Sequence, residues 1–496
     1  MARAFVTSGS AGPMLLASKV VVMEHLSTLD AGFLQAEDAD PHVSLAVGAL
    51  AVLDGPAPDF GDFVASLGVR LTEVPRFNQV LRTHPLDLEA PEWVDDAAFD
   101  VRHHVRRAAV LHPGDDGALF QLTANLMERR LDRDHPLWEC WMIEGLHDGQ
   151  WALLMKIHHC IADGIATAQL LNRLADDHQG DTFAHKIHPL PAVPDQGQPG
   201  YSVFDPREWI SRLWRTSLSV AGTVARAGEG ILEVGAALTR PGQPTELSGH
   251  ITGMRRYAAV SVPMRDVRKV CKAYGVTVND VALASITDSY RAAMIRRGEQ
   301  PRARSLRTLV PVSVRSSDAL DHVGNSVSLL LPYLPVEESD PVKQLRAVQR
   351  RLTKAKRSGQ SQAGSAAVAA TNLVPFPLTA WAIRALARVP QRAVVTVATN
   401  VPGPEKRLNV MGRPVVRLLP ILPIALQVRT GIAILSYADQ LTFGITADYD
   451  AASDVSEFAD GIVQAARRLA SSNTGHRSPR GDTRSREVPG LRGARG

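Results

Sequence analysis

Lys156-Ile157-His158-His159-Cys160-Ile161-Ala162-Asp163-Gly164-Ile165-Ala166 is the stretch on which the reading of this chain turns. The apolar run Trp151 to Met155 leads into it and the amphipathic run Ile165 to Ala175 leaves it, the pattern of a strand, a sharp turn and a helix. Adjacent strand residues point to opposite faces, so His158 and His159 are expected to do different jobs, one facing a channel and the other packing behind it. A neutral imidazole on a rigid strand end takes a proton from a hydroxyl near neutral pH, which points to acyl transfer without a covalent enzyme intermediate. Plainer readings of the same residues stay open: Asp163 as the N-cap of the following helix and Gly164 as the residue of a tight turn. The combination His-His-x-x-x-Asp-Gly at a strand-to-helix turn is more specific than either histidine alone. A control lies in the same chain. Arg102-His103-His104-Val105 is also a His-His pair, but no Asp-Gly follows it, and it is read as ordinary strand.

Further segments in order along the chain carry a family likeness. They are Leu26-Ser27-Thr28-Leu29-Asp30-Ala31-Gly32-Phe33-Leu34, Pro136-Leu137-Trp138 through Glu144-Gly145-Leu146, and Arg255-Arg256-Tyr257. Thr277-Val278-Asn279-Asp280-Val281, Val310-Pro311-Val312-Ser313-Val314-Arg315, Gly324-Asn325 and Asn400-Val401-Pro402-Gly403-Pro404 complete the set. With the His-His motif, these resemble the bacterial wax ester synthase/acyl-CoA:diacylglycerol acyltransferases from about residue 25 to about 470. The resemblance implies an α/β fold of two chloramphenicol acetyltransferase-like, condensation-domain-like domains with the site where they meet. It implies transfer of a long acyl chain from coenzyme A to diacylglycerol, giving triacylglycerol, or to a fatty alcohol, giving a wax ester. It assigns the base to His159 and the ordering of the turn to Asp163, with His158 beside them. Gly164, Asn279, Asp280 and Asn400 fall in motifs that support the site or the substrate. Asn279 and Asn400 are candidate oxyanion donors; Asn279 also reads as a helix N-cap and Asn400 as the start of a turn. No metal and no cofactor is expected, acyl-CoA being a substrate.

At 496 residues two domains are the natural expectation. Hydrophobic content of 45% with 21% charged residues fits a globular protein, and aromatics of only 5% leave the core to Ala, Val, Leu and Ile. The net charge of +4 does not indicate nucleic acid. Six arginines between Ser471 and Gly496 stand against Asp482 and Glu487, so that tail carries the whole excess. Rich in Ser, Gly and Pro, it reads as disordered, with contact to an anionic lipid surface as the functional alternative. Cys140, Cys160 and Cys271 imply neither a disulfide framework nor a Cys-x-x-C site, in keeping with a reducing cytoplasm. Zinc at His158, His159 and Cys160 is disfavoured because consecutive residues rarely converge on one tetrahedral ion. Cys160 as an acyl-accepting nucleophile is the better rival, opposed by the expectation that it faces away from His159.

Residues 1–22 read as an extension, 23–190 as a first domain, 191–250 as a linker and crossover helix, 251–470 as a second domain, and 471–496 as the basic tail. Strands are predicted at Leu45 to Leu53, Trp151 to Ile157, Arg256 to Val262, Leu306 to Val314, Ser326 to Leu334, Val394 to Thr399, Gly431 to Tyr437 and Phe443 to Asp448. Helices are predicted at Phe60 to Leu71, Leu119 to Arg129, Pro206 to Leu238, Met264 to Ala273, Asn279 to Arg296 and Val455 to Leu469. No apolar run is a convincing membrane span, which leaves a cytoplasmic protein, peripheral at membranes or lipid droplets. The rival from another class is a catalytically weak lipid-binding or droplet-coating protein; the intact histidine motif argues against it.

Overall fold

The structure is a computed structural model, and it describes residues 24–71, 74–85, 89–161, 174–176, 245–313, 327–357, 376–377, 380–381, 384 and 394–472. The expected turn residues Asp163 and Gly164, the linker, the helix from Pro206 to Leu238, residues 1–22 and the tail beyond Ser472 lie outside them.

In the first half the strands are β1 (Glu24–His25), β2 (Ala46–Leu53), β3 (Gln79–Arg82), β4 (Glu92–Asp95), β5 (Val105–Ala109), β6 (Trp138–Glu144) and β7 (Trp151–His158). The helices are α1 (Thr28–Ala39), α2 (Phe60–Leu71), α3 (Val101–His104) and α4 (Asp116–Glu128). The second half carries β8 (Arg255–Pro263), α5 (Met264–Tyr274), α6 (Val278–Arg296), β9 (Thr308–Ser313), β10 (Val327–Leu330) and α7 (Pro341–Arg357). Then follow β11 (Thr396–Pro402), β12 (Asn409–Val410), β13 (Arg413–Ile421), β14 (Thr430–Tyr437), β15 (Gln440–Asp448) and α8 (Val455–Ser472).

β2 and β7 pair antiparallel at the centre of a six-stranded sheet ordered β12-β13-β2-β7-β6-β5, and every residue of both strands is buried. A strand covered on both faces reads as a continuous apolar run rather than an alternating one, which is what both sequences show. On one face, Phe63, Leu67 and Leu71 of α2 pack against Leu153 and Met155. On the other, Leu119, Leu126 and Met127 of α4 pack against Leu50, Val52 and Leu154. Lys156 sits on that second face, fully buried. Its Nζ donates to the Leu126 and Arg129 carbonyls (2.8 and 2.5 Å), with Glu139 Oε2 at 3.9 Å. A cation at the end of α4 meets carbonyls that have no partner within the helix. Burial pulls this ammonium down to about 8.

The second sheet runs β10-β9-β11-β14-β15-β8. α5, α6, α7 and α8 pack together on its core, with α6 buried around most of its circumference. α6 starts in a capping box: Thr277 is the N-cap, Asp280 N–H donates to Thr277 Oγ1 (3.2 Å), and Thr277 N–H donates to Asp280 Oδ2 (2.8 Å).

The halves interlock through a strand that changes sheets. β13 follows β11 in sequence yet pairs with β2 in the first sheet, so Arg413 to Ile421 do not belong to the second sheet of the 251–470 unit. The run was not read as a strand because Arg413, Pro414, Arg417 and Pro420 interrupt its apolar pattern. Its carbonyl at Pro420 accepts from Tyr257 Oη (3.0 Å), and a Cβ on Gly444 would lie 1.8 Å from that same oxygen. Only glycine at 444 lets β15 approach so closely. Arg417 grips Asp116 at the start of α4 with two bonds (2.8 and 2.7 Å), and Arg255 donates to the His42 carbonyl.

Candidate active site

β7 delivers the two histidines to the end of the first sheet, and α1 covers them. Ser27 caps α1 by accepting from Asp30 N–H (3.1 Å), and Ala31 and Leu34 anchor the helix to the core. One turn apart on α1, Phe33 and Glu37 reach the histidines. Phe33 stacks on the His159 ring, with centroids 4.0 Å apart and planes 22° from parallel. Glu37 Oε2 lies 3.5 Å from His158 Nε2. Glu37 was missed in the sequence because Asp38 and Asp40 beside it suggest a solvated acidic face; the available signal was an acid one turn beyond Phe33.

His158 is 1% exposed, whereas His159 is only partly buried. The two rings are therefore unequally buried, but not by strand alternation: the strand ends at His158, the chain turns with Ile161 N–H donating to the His158 carbonyl (3.0 Å), and both rings meet α1. His158 Nδ1 accepts from the Cys160 amide (3.2 Å) and lies 3.0 Å from Cys160 Sγ. With Nδ1 accepting, the proton of a neutral ring sits on Nε2, facing the Glu37 carboxylate.

Glu37 is 1% exposed. Burial pushes its carboxyl up, but the nearby His158, then Arg133 and the Leu45 amide, outweigh it and bring the group down to about 2. Arg133 donates to Glu37 Oε2 (2.8 Å), and Leu45 N–H donates to Oε1 (2.9 Å). Cys160 turns its thiol toward His158. Burial pushes its thiol well up, followed by the charges of Asp30 and Glu37, so a thiolate nucleophile is disfavoured here.

The motif Pro136-Leu137-Trp138 acquires a physical role. Its backbone carbonyls serve both His-His pairs: the Leu137 oxygen accepts from His158 N–H (3.0 Å) and the Trp138 oxygen from His104 Nδ1 (2.9 Å). His103 and His104 lie in the short helix α3, not in a strand, because Asp100 caps a helical turn there.

Asn279 and Asn400 come together in the second half: Asn400 Nδ2 donates to Asn279 Oδ1 (3.4 Å). Both expected alternatives are corrected. Thr277, not Asn279, is the N-cap, since its hydroxyl is the one aligned with the Asp280 amide. Asn400 does not open a turn; it pairs with Ile434 inside β11. Asp280 is fully engaged in the capping box, a structural duty.

The same architecture occurs in known proteins. The model of the wax ester synthase/diacylglycerol acyltransferase catalytic domain matches residues 26–282, and that of the family's C-terminal domain matches 323–470. The chain is 53% identical over 449 residues to a probable diacylglycerol O-acyltransferase of Mycobacterium tuberculosis, covering 90% of this chain and 96% of the relative. A putative diacylglycerol O-acyltransferase of the same organism is 44% identical over 447 residues, covering 90% and 91%. The solved wax ester synthase/diacylglycerol acyltransferase from Marinobacter aquaeolei superposes with a TM-score of 0.63 at 25% identity, covering 91% of this chain and all of that one. A condensation domain of rhizomide synthetase superposes with a TM-score of 0.54 at 14% identity, covering 94% and 96%, a likeness of fold. Sequence, fold and histidine motif agree: the chain belongs to the wax ester synthase/diacylglycerol acyltransferase family.

Proposed function

We propose that the protein transfers a long acyl chain from acyl-CoA to diacylglycerol, with His159 as general base. The observation that carries the reading is the unequal pair at the end of β7: His158 is sealed against Glu37 and Cys160, and His159 is left the accessible imidazole on a rigid support. The names of the 53% and 44% identical relatives supply the acceptor. His159 takes the proton of the acceptor hydroxyl as its oxygen bonds to the thioester carbonyl carbon. The carbon–sulfur bond then breaks, and the imidazolium returns the proton to the departing thiolate of coenzyme A. The step balances with two substrates and two products and calls on no redox partner. Base catalysis of this kind contributes roughly 10²–10⁴-fold.

The tetrahedral oxyanion requires a donor, and the paired amides of Asn279 and Asn400 are the second-half groups proposed for it. Because they bond to each other, Asn279→Ala and Asn400→Ala should lose kcat non-additively; additive losses would separate them. Asp163 is assigned the turn-ordering role that the family resemblance implies, with Gly164 beside it as a supporting residue of the motif. Diacylglycerol partitions into lipid, so the enzyme is proposed to act at a membrane or droplet surface from the cytoplasm. Among the described residues no helix is long and apolar enough to cross a membrane.

Product analysis tests the acceptor. Purified protein given palmitoyl-CoA with dioleoylglycerol or hexadecanol should form triacylglycerol faster than wax ester. Faster ester formation from hexadecanol would move the assignment to wax ester synthase, the activity also named for the Marinobacter neighbour. No product from either would favour a lipid-binding protein.

A further inference from the structure

We propose that Glu37 is the positioning residue of the histidine pair, its two carboxylate oxygens fixing the His158 ring directly and the His159 backbone through the two backbone groups of Leu45. The inference rests on His159 being the base.

The geometry is a chain of three contacts. Glu37 Oε2 faces His158 Nε2 at 3.5 Å. Glu37 Oε1 accepts from Leu45 N–H (2.9 Å), and the carbonyl of Leu45 accepts from His159 N–H (3.0 Å). One buried carboxylate thus meets His158 directly and His159 through Leu45, and Arg133 completes it by donating to Oε2 while also pairing with Asp38 (2.8 Å each). Such a group is costly to bury unless paired and hydrogen-bonded. Among the described residues its hydrogen bonds and ion pairs lead to the His-His segment or to Arg133, and α1 is held to the core by other side chains. Its place one turn from Phe33 means α1 sets both the ring face of His159 and the ring edge of His158.

The charge has a second effect. Glu37 stays ionised throughout the working pH range, so it favours the imidazolium that forms during proton transfer. The charged and titratable groups around it are His158 and Lys156 from β7, the Cys160 thiol from the turn, Arg133 after α4, Arg130 donating to the Glu37 carbonyl, Asp30 and Asp38 on α1, and Glu139 on β6. Of these, Arg133 is the cation held against the carboxylate; the group that changes charge in the proposed reaction is His159, next to His158.

The test compares wild type, Glu37→Gln, His158→Gln, the double variant and His159→Ala, with palmitoyl-CoA and dioleoylglycerol from pH 5.5 to 9 and a melting curve for each. Glu37→Gln is expected to lower kcat roughly 10–100-fold with both KM values within about twofold, as for a misoriented base. The acid limb of its kcat/KM profile should move to lower pH, and the double variant should be no slower than His158→Gln. Wild-type kcat and pH profile in Glu37→Gln, with His159→Ala inactive, would overturn the proposal and leave the base standing. An active His159→Ala would instead remove the base on which it rests. A lowered melting temperature with unchanged kcat per folded molecule would reduce Glu37 to a structural acid and also overturn it. If Glu37→Gln yields no folded protein, folded His158→Gln carries the test: normal kcat there refutes the coupling, and a slow kcat with unchanged KM supports it.

Discussion

The two His-His pairs are tied to neighbouring carbonyls at the start of β6, Leu137 for one and Trp138 for the other, yet their surroundings could hardly differ more. His104 lies between aromatic rings, stacked 4.5 Å from Trp138 and 5.4 Å from Phe99, and donates from Nδ1 to the Trp138 oxygen. Burial pushes its imidazole down, toward the neutral form. His103 beside it is exposed. At the end of β7 one ring is again buried and the other only partly so, but the buried ring faces a carboxylate and the other stacks on Phe33. A dipeptide therefore does not define a site. What α1 brings to the second pair is an ionised acid, Glu37, buried against the ring.

The largest effect that can break this comparison is on rate. His159→Ala should lose roughly 10²–10⁴ in kcat, whereas His103→Ala should stay within about twofold of wild type. A loss of similar size in both would mean that neither pair is specific to the chemistry. Next comes stability: His104→Ala empties a buried aromatic slot and should cost about 2–4 kcal/mol in denaturant unfolding, with kcat per folded molecule unchanged. A rate defect without a stability defect would make the first pair functional after all.

A pH series sharpens the contrast. With His104 held neutral in the fold, the unfolded chain binds the extra proton. Its contribution to stability is full above its ordinary value of 6.5 and is lost as pH falls through the lowered value. His104→Gln should flatten the stability slope below pH 6.5 by at most about 1.4 kcal/mol per unit. An unchanged slope would show that the ring is charged in the fold. The smallest effect separates the stacking partners. Phe33→Leu and Phe99→Leu should each cost about 1 kcal/mol of stability. Only Phe33→Leu should also slow turnover, by a few-fold; equal rates in the two variants would detach the stack from catalysis.

Much of this was legible in the sequence. The predicted α2 has the observed limits, and β2, β7, β8, α5 and α6 lie within one to two residues of expectation, because long, strongly patterned segments fix their own structure. The histidine motif was legible for the same reason. The small sheet β1-β4-β3, the helices α1 and α7 and the strand β13 were not read, and each depends on tertiary partners. β13 carries two arginines and two prolines and is a strand because β2 offers it a buried edge. Glu37 is the sharpest case: nothing in Ala36-Glu37-Asp38 separates a buried acid from a solvated one until Arg133 and His158 are brought to it from about 100 residues away. His103 and His104 were misread as strand because one turn of helix, capped by Asp100, leaves no periodic pattern.

The most direct test of the central claim is the rate of coenzyme A release from palmitoyl-CoA in the presence of dioleoylglycerol, measured for wild type and for folded His159→Ala. A wild-type rate that depends on diacylglycerol and falls at least about 100-fold in the variant is the predicted result. Turnover in His159→Ala close to that of wild type would contradict it, and the proton would then have to be taken by another group.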